Sequence, residues 1–158
     1  MRRLSAAALG LGAALVASTA SGQSPLDKHV SDGAVKAALN LALTNISRAK
    51  CEDLKPCAAP TADEKAHPPI SIAEARAAMK AGIVSGIAEH CGLDWHRRTF
   101  VPMMVYHRKA VQMNERQMAL MGLLHGMQQA RVSRALGASG TCSADMKAKV
   151  NAGLPAPE

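Results

Sequence analysis

The chain has 158 residues, a formal net charge of +7 and 48% hydrophobic residues, yet only one Trp, one Tyr and one Phe. That length suits one domain with a single core. It contains no Cys-x-x-Cys, His-Glu-x-x-His, Gly-x-Ser-x-Gly or Gly-rich phosphate loop, which excludes the enzyme classes that those motifs announce.

The first segment reads as a cleavable signal peptide over residues 1–22. Arg2 and Arg3 form its positive end, Leu4 to Ala17 its uncharged apolar run, and Ser18-Thr19-Ala20 or Ala20-Ser21-Gly22 its cleavage site. The run is too short to span a bilayer. A mature chain starting near Gln23 keeps 17 basic and 12 acidic residues, a formal charge of +5. No second segment is apolar enough for a transmembrane span, so the expectation is a soluble periplasmic or secreted protein. In that compartment nucleic acid is excluded as a partner. A basic surface there suits an anionic envelope component or an acidic protein. Cys51 lies too far from the cleavage region to carry a lipid.

The pattern of the remainder predicts an all-α fold: a small antiparallel bundle of four main helices plus a short C-terminal helix, over residues 23–150. Ser31 or Asp32 caps the first helix, which runs to about Lys50 with Val35, Leu39, Ala42 and Ile46 inside. Residues 51–70 hold Pro56, Pro60, Pro68 and Pro69 and read as a long proline-rich loop. Ser71-Ile72-Ala73-Glu74 is a capping box for the second helix, and Gly92 is its left-handed stop. Ile72, Ala75, Met79, Ile83 and Ile87 form its stripe, while Ala78, Gly82 and Gly86 form a smooth strip for close packing. Asp94 caps the third helix, Trp95 to Gln112, which Pro102 should kink rather than end. One arc of it carries His96, Phe100, Met103, Met104, His107 and Val111. The opposite arc carries Arg97, Arg98, Arg108 and Lys109.

The fourth helix, Glu115 to about Leu136, contains the uncharged tract Gln117–Met127 and should be the central rod. Asn114 and Gln117 make its capping box, Met113 and Met118 its hydrophobic staple, and Gly137 its stop. Ser143 caps a fifth helix through Val150, and residues 151–158 form a loose tail. Four cysteines in an exported chain read as two disulfides. Short connections make successive helices antiparallel, which brings Cys91 and Cys142 to one end and leaves Cys51 to pair with Cys57. The longer bridge closes a loop of about 50 residues, contributing roughly 4 kcal/mol by chain entropy.

Two candidate surfaces follow. From Trp95 to Arg134 there are seven Arg or Lys residues and one acid, Glu115. Arg97, Arg98, Arg108 and Lys109, flanked by Trp95 and Tyr106, form a basic face for an anionic partner. That makes a non-enzymatic envelope-interaction protein the leading functional reading. In the hairpin of the third and fourth helices, Met103 should face His125 and His107 should face Met121. Thioether and imidazole together suit Cu(I), the cofactor of the alternative reading, metal handling in this methionine-rich chain of nine Met. The stretch FVPMMVYHRKAVQM resembles the Met-Met-x-x-His-His segment of a secreted ferritin-like family associated with copper. Here Arg108 stands where the second His belongs, and the Met-to-His spacing slips by one. A hydrolase with a site assembled from distant residues is the remaining alternative.

Overall fold

The computed structural model describes residues 30–156, and every regular element among them is helical. The expected signal peptide lies outside the described residues. The helices are α1 (Asp32–Thr44), α2 (Ala62–Ala66), α3 (Ile72–His90), α4 (Val101–Lys109), α5 (Glu115–Ser139) and α6 (Ala144–Gly153). No helix among them is long and apolar enough to cross a membrane.

Ser31 caps α1 by accepting from the Ala34 N–H. The helix stops at Thr44, earlier than the apolar pattern suggests. Asn45 turns its side chain back to donate to the Leu41 carbonyl at 2.8 Å, the local competition that makes Asn a poor helix-interior residue. One 3₁₀ turn, Ile46–Arg48, follows and keeps Ile46 inside. Val35, Leu39, Ala42 and Ile46 are all buried, as their spacing predicts.

The proline-rich stretch is short of apolar residues yet well tied. Cys51 and Cys57 bond with their Cα atoms 4.9 Å apart, and Lys50 pairs with Pro56 in an isolated bridge. Thr61 and Glu64 build a capping box that starts α2. Arg116 of α5 donates to the Ala58 carbonyl at 2.9 Å and to the Glu64 carboxylate, while Gln117 Nε2 donates to the Pro69 carbonyl at 2.8 Å. The Arg116 hydrogen bond, with a smaller contribution from the Thr61 N–H, holds the Glu64 carboxyl below its usual range.

α3 begins at the Ser71–Glu74 box and ends at Cys91, with Gly92 in the left-handed region at φ 63°. Its main neighbour is α5. The contact is made by the small strip: Ala78, Gly82, Ser85, Gly86 and Ala88 are buried, whereas Ile72, Ile83 and Ile87 are only partly so. Gly82 lies against the His125 backbone and side chain of Gln128, and Gly86 against Gln129 and Val132. Both helices therefore climb in the same direction, side by side.

The third predicted helix is divided. Asp94 accepts from the Arg97 N–H at 3.1 Å, a π turn covers His96–Phe100, and α4 follows. A proline at position 102 has no N–H and crowds the carbonyl four residues back; the wider turn ahead of it absorbs that crowding. The run ends at Lys109, with Gln112 at φ 60°, so Val111 is outside the helix and exposed. α5 starts at the Asn114–Gln117 box with Met113 and Met118 both buried. It passes through Gly137, where a stop was expected, and ends at Gly140 with φ 129°. A helical glycine costs about 1 kcal/mol, which a helix of this length tolerates.

Cys91 and Cys142 bond with Cα atoms 5.0 Å apart and join the end of α3 to the start of α6. The chain after α6, expected to be loose, is held: Leu154 is buried, and Arg98 donates to the carbonyls of Pro155 (2.6 Å), Asn151 (2.9 Å) and Leu154 (3.0 Å).

The glycine contact makes a sharp prediction. A Cβ at residue 86 would stand 2.6 Å from the Gln129 carbonyl oxygen, and one at residue 82 would also meet backbone. Gly82→Ala and Gly86→Ala should each destabilise by about 1–3 kcal/mol, as overpacking does. Gly126→Ala, where a Cβ meets nothing within 4 Å, should be neutral or stabilising by up to about 1 kcal/mol. Thermal melts of the three variants check both signs.

Candidate functional site

His125 projects from α5 into the strip of small residues on α3. It is 1% exposed, and its Nε2 lies 2.8 Å from Ser85 Oγ, itself fully buried. The ring stacks on Trp95 at 6.0 Å between centroids and tilts against Phe100 at 4.8 Å. The start of the α4 region thus closes over the imidazole. Burial, assisted by the nearby charge of His96, lowers the His125 pKa to about 4. A Ser–His pair of this kind is a nucleophile and base by residue type. Both members are buried, with Trp95 and Phe100 against the imidazole, so the arrangement reads as a core hydrogen bond.

Of the other residues of the expected Met/His layer, Met103 and His107 lie on α4 and Met121 on α5. Met121 is buried, and Met103 packs partly buried against the same core. His107 is buried with its Nδ1 lacking a partner; burial lowers its pKa and the Glu74 carboxylate acts in the opposite sense. Glu74 and Ser85, the α3 residues that act on the two imidazoles, are separated by about 16 Å of helix rise. His125 is committed to Ser85, while His107 belongs near the start of α3. Among the described residues no group of three or more His, Cys, Asp or Glu side chains could hold a metal ion.

The expected basic face on α4 is largely turned to internal use. Arg98 holds the C-terminal segment and donates to Asn151 Oδ1 at 2.5 Å. Arg108 makes a two-pronged pair with Glu115 at 2.5 and 3.1 Å, raising the arginine pKa and lowering that of the acid. Trp95 lies in the aromatic cluster over His125. Arg97, Lys109 and Tyr106 remain exposed, the last at 59%.

Sequence reasoning missed a second arrangement. α1 and α5 leave between them an open groove of about 750 Å³. Ala34, Ala38 and Leu41 form one wall, Leu123 and Met127 the other, and Met79 lies at the base. Gly122 and Gly126 keep the α5 side low. Among the described residues the polar ones lining it are Gln128, Arg131 and Arg134, and none is acidic. Arg131 and Arg134 are three apart on one helix, so their guanidinium groups emerge on the same side. Both are exposed, with no ion pair among the described residues. The small residues of α1 and α5 at this spacing were the available signal, but alanine and glycine on facing helices usually mean close packing.

The fold and site define a small helical protein with two cysteine pairs at disulfide distance, an enclosed Ser–His contact and an open apolar groove edged by arginine. Compared with known proteins, the chain matches no family model, no curated sequence and no solved structure.

Two outcomes follow from the geometry. The unfolded chain takes up a proton at His125 near pH 6.5, whereas the folded chain does so near pH 4. The associated stability is complete above pH 6.5 and is lost as pH falls towards 4, with His107 adding in the same direction. The unfolding free energy from urea titrations should therefore drop between pH 7 and 4.5, by roughly 2 kcal/mol, and His125→Gln should flatten that dependence. Arg98→Ala should release the C-terminal segment. Trypsin under native conditions would then cut after Lys147 and Lys149 faster than in the parent protein, with α5 intact.

Proposed function

We propose that the protein is an exported, non-enzymatic binding protein that meets anionic lipid headgroups with the arginine pair of α5. The observation that carries this reading is the exposure of Arg131 and Arg134 at the edge of an apolar groove, without an acid to neutralise them among the described residues. Arginine suits such a role because its planar fork engages phosphate or carboxylate oxygens in pairs. Arg97 and Lys109 supply further positive charge, but the basic face no longer centres on them, since Arg98 and Arg108 are engaged within the fold.

Export is supported by the apolar N-terminal run behind Arg2 and Arg3 and by two cysteine pairs at bonding distance, which persist in an oxidising compartment. A packed helical bundle in which the Cys91–Cys142 bridge ties the end of α3 to the chain beyond α5 suits a rigid scaffold that presents a surface. An enzymatic role has less support, because the Ser85–His125 contact has no access for a substrate.

Sedimentation with phosphatidylglycerol vesicles tests the reading. The parent protein should bind them, release them as salt rises, and ignore phosphatidylcholine. Near an anionic membrane each basic residue contributes about 1 kcal/mol, so Arg131→Glu with Arg134→Glu should weaken binding more than tenfold. Arg97→Glu with Lys109→Glu should change it about threefold or less. Binding unaffected by the α5 reversals would overturn the proposal.

A further inference from the structure

Building on that reading, we infer that the α1–α5 groove takes the acyl chain of a single-chain anionic amphiphile, with its headgroup held between Arg131 and Arg134. The groove has the polarity of such a molecule. Its walls are Ala34, Ala38, Leu41, Leu123 and Met127, and its cations stand at the C-terminal end of the α5 lining. Its volume of about 750 Å³ falls in the range of small-ligand sites. The lining residues of α5, Gly122 to Arg134, extend over about 18 Å of helix rise, enough to lay a long acyl chain beside the helix.

Leu41, on the groove side of α1, is 54% exposed. Gly122 and Gly126 occupy lining positions where a larger side chain would fill the channel. A Cβ on residue 126 would meet no atom within 4 Å, so packing does not require glycine there. Glycine in a helix interior costs about 1 kcal/mol relative to alanine, and an open channel is what the small side chain leaves behind. A second copy of the chain is the less suitable occupant: self-pairing would bury two guanidinium groups in a lining that offers no carboxylate.

Titration calorimetry with myristate, below its aggregation concentration, tests the inference against butyrate and tetradecyl maltoside. Butyrate carries the head without the chain, and the maltoside the chain without the charge. Myristate should bind one to one, at least tenfold tighter than the maltoside and a hundredfold tighter than butyrate. Gly126→Leu should lower myristate affinity at least tenfold while leaving vesicle binding intact; Ala34→Phe, at an exposed wall position, should do the same from the other side. Arg131→Gln with Arg134→Gln should weaken myristate but not the maltoside. Vesicle binding without myristate uptake would overturn the groove while sparing the headgroup reading. Loss of both would overturn both. Myristate affinity unaltered in both filled, folded variants would place the ligand elsewhere and overturn the inference. So would a parent dimer that Gly126→Leu converts to monomer, since a second copy would then own the groove.

Discussion

The close approach of α3 and α5 is the constraint on which the other contacts depend. Two glycines one turn apart let α3 lie against the α5 backbone at His125 and Gln129. At that separation Ser85 reaches His125, and the imidazole can be buried neutral because its Nε2 has a partner. The aromatic residues around the π turn then close the layer from the third side. A bulkier residue on the strip would push the helices apart and expose a histidine whose environment favours the uncharged form. Few aromatic residues are needed in such a core, because backbone proximity replaces side-chain bulk.

The positive charge of the chain is a poor guide to its outer surface. Four arginines act mainly as internal ties. Arg76 links α3 to Asp32 and the Val30 carbonyl ahead of α1, and Arg98 gathers the C-terminal segment. Arg108 closes the turn between α4 and α5 through Glu115, and Arg116 anchors the proline-rich stretch through Glu64 and Ala58. These ties pair segments that have little apolar surface of their own. Several donors on one guanidinium can satisfy several carbonyls at once, as Arg98 does, which a lysine cannot reproduce with the same geometry. What is left for a partner is the charge that no segment claims, and on α5 it borders the apolar groove beside α1.

The two disulfides act on different scales. The Cys51–Cys57 bridge shapes a six-residue excursion in which Asp53 and Leu54 take φ values of 54° and 59°, leaving Leu54 80% exposed. The Cys91–Cys142 bridge spans 51 residues and joins the ends of long helices that already pack together. Its effect falls mostly on the unfolded chain, whose freedom it restricts.

Local chemistry in the sequence determined a good deal by itself. Capping boxes at Ser71 and Asn114, the left-handed stop at Gly92, the inner stripe of α1 and the partners of all four cysteines follow from short-range patterns and helix order. Each depends on neighbours within a turn or on the direction of successive helices, which spacing reveals. Tertiary structure alone decided which polar groups were already taken. The fate of Arg98 depends on residues more than 50 positions away, and that of His125 on a serine 40 positions away. The groove beside Arg131 likewise exists only because α1 lies alongside α5 without filling the space above Gly122 and Gly126. Periodicity reports which face turns inward; it carries no information on how far apart two inward faces come to rest, and that distance separates a packed seam from an open site.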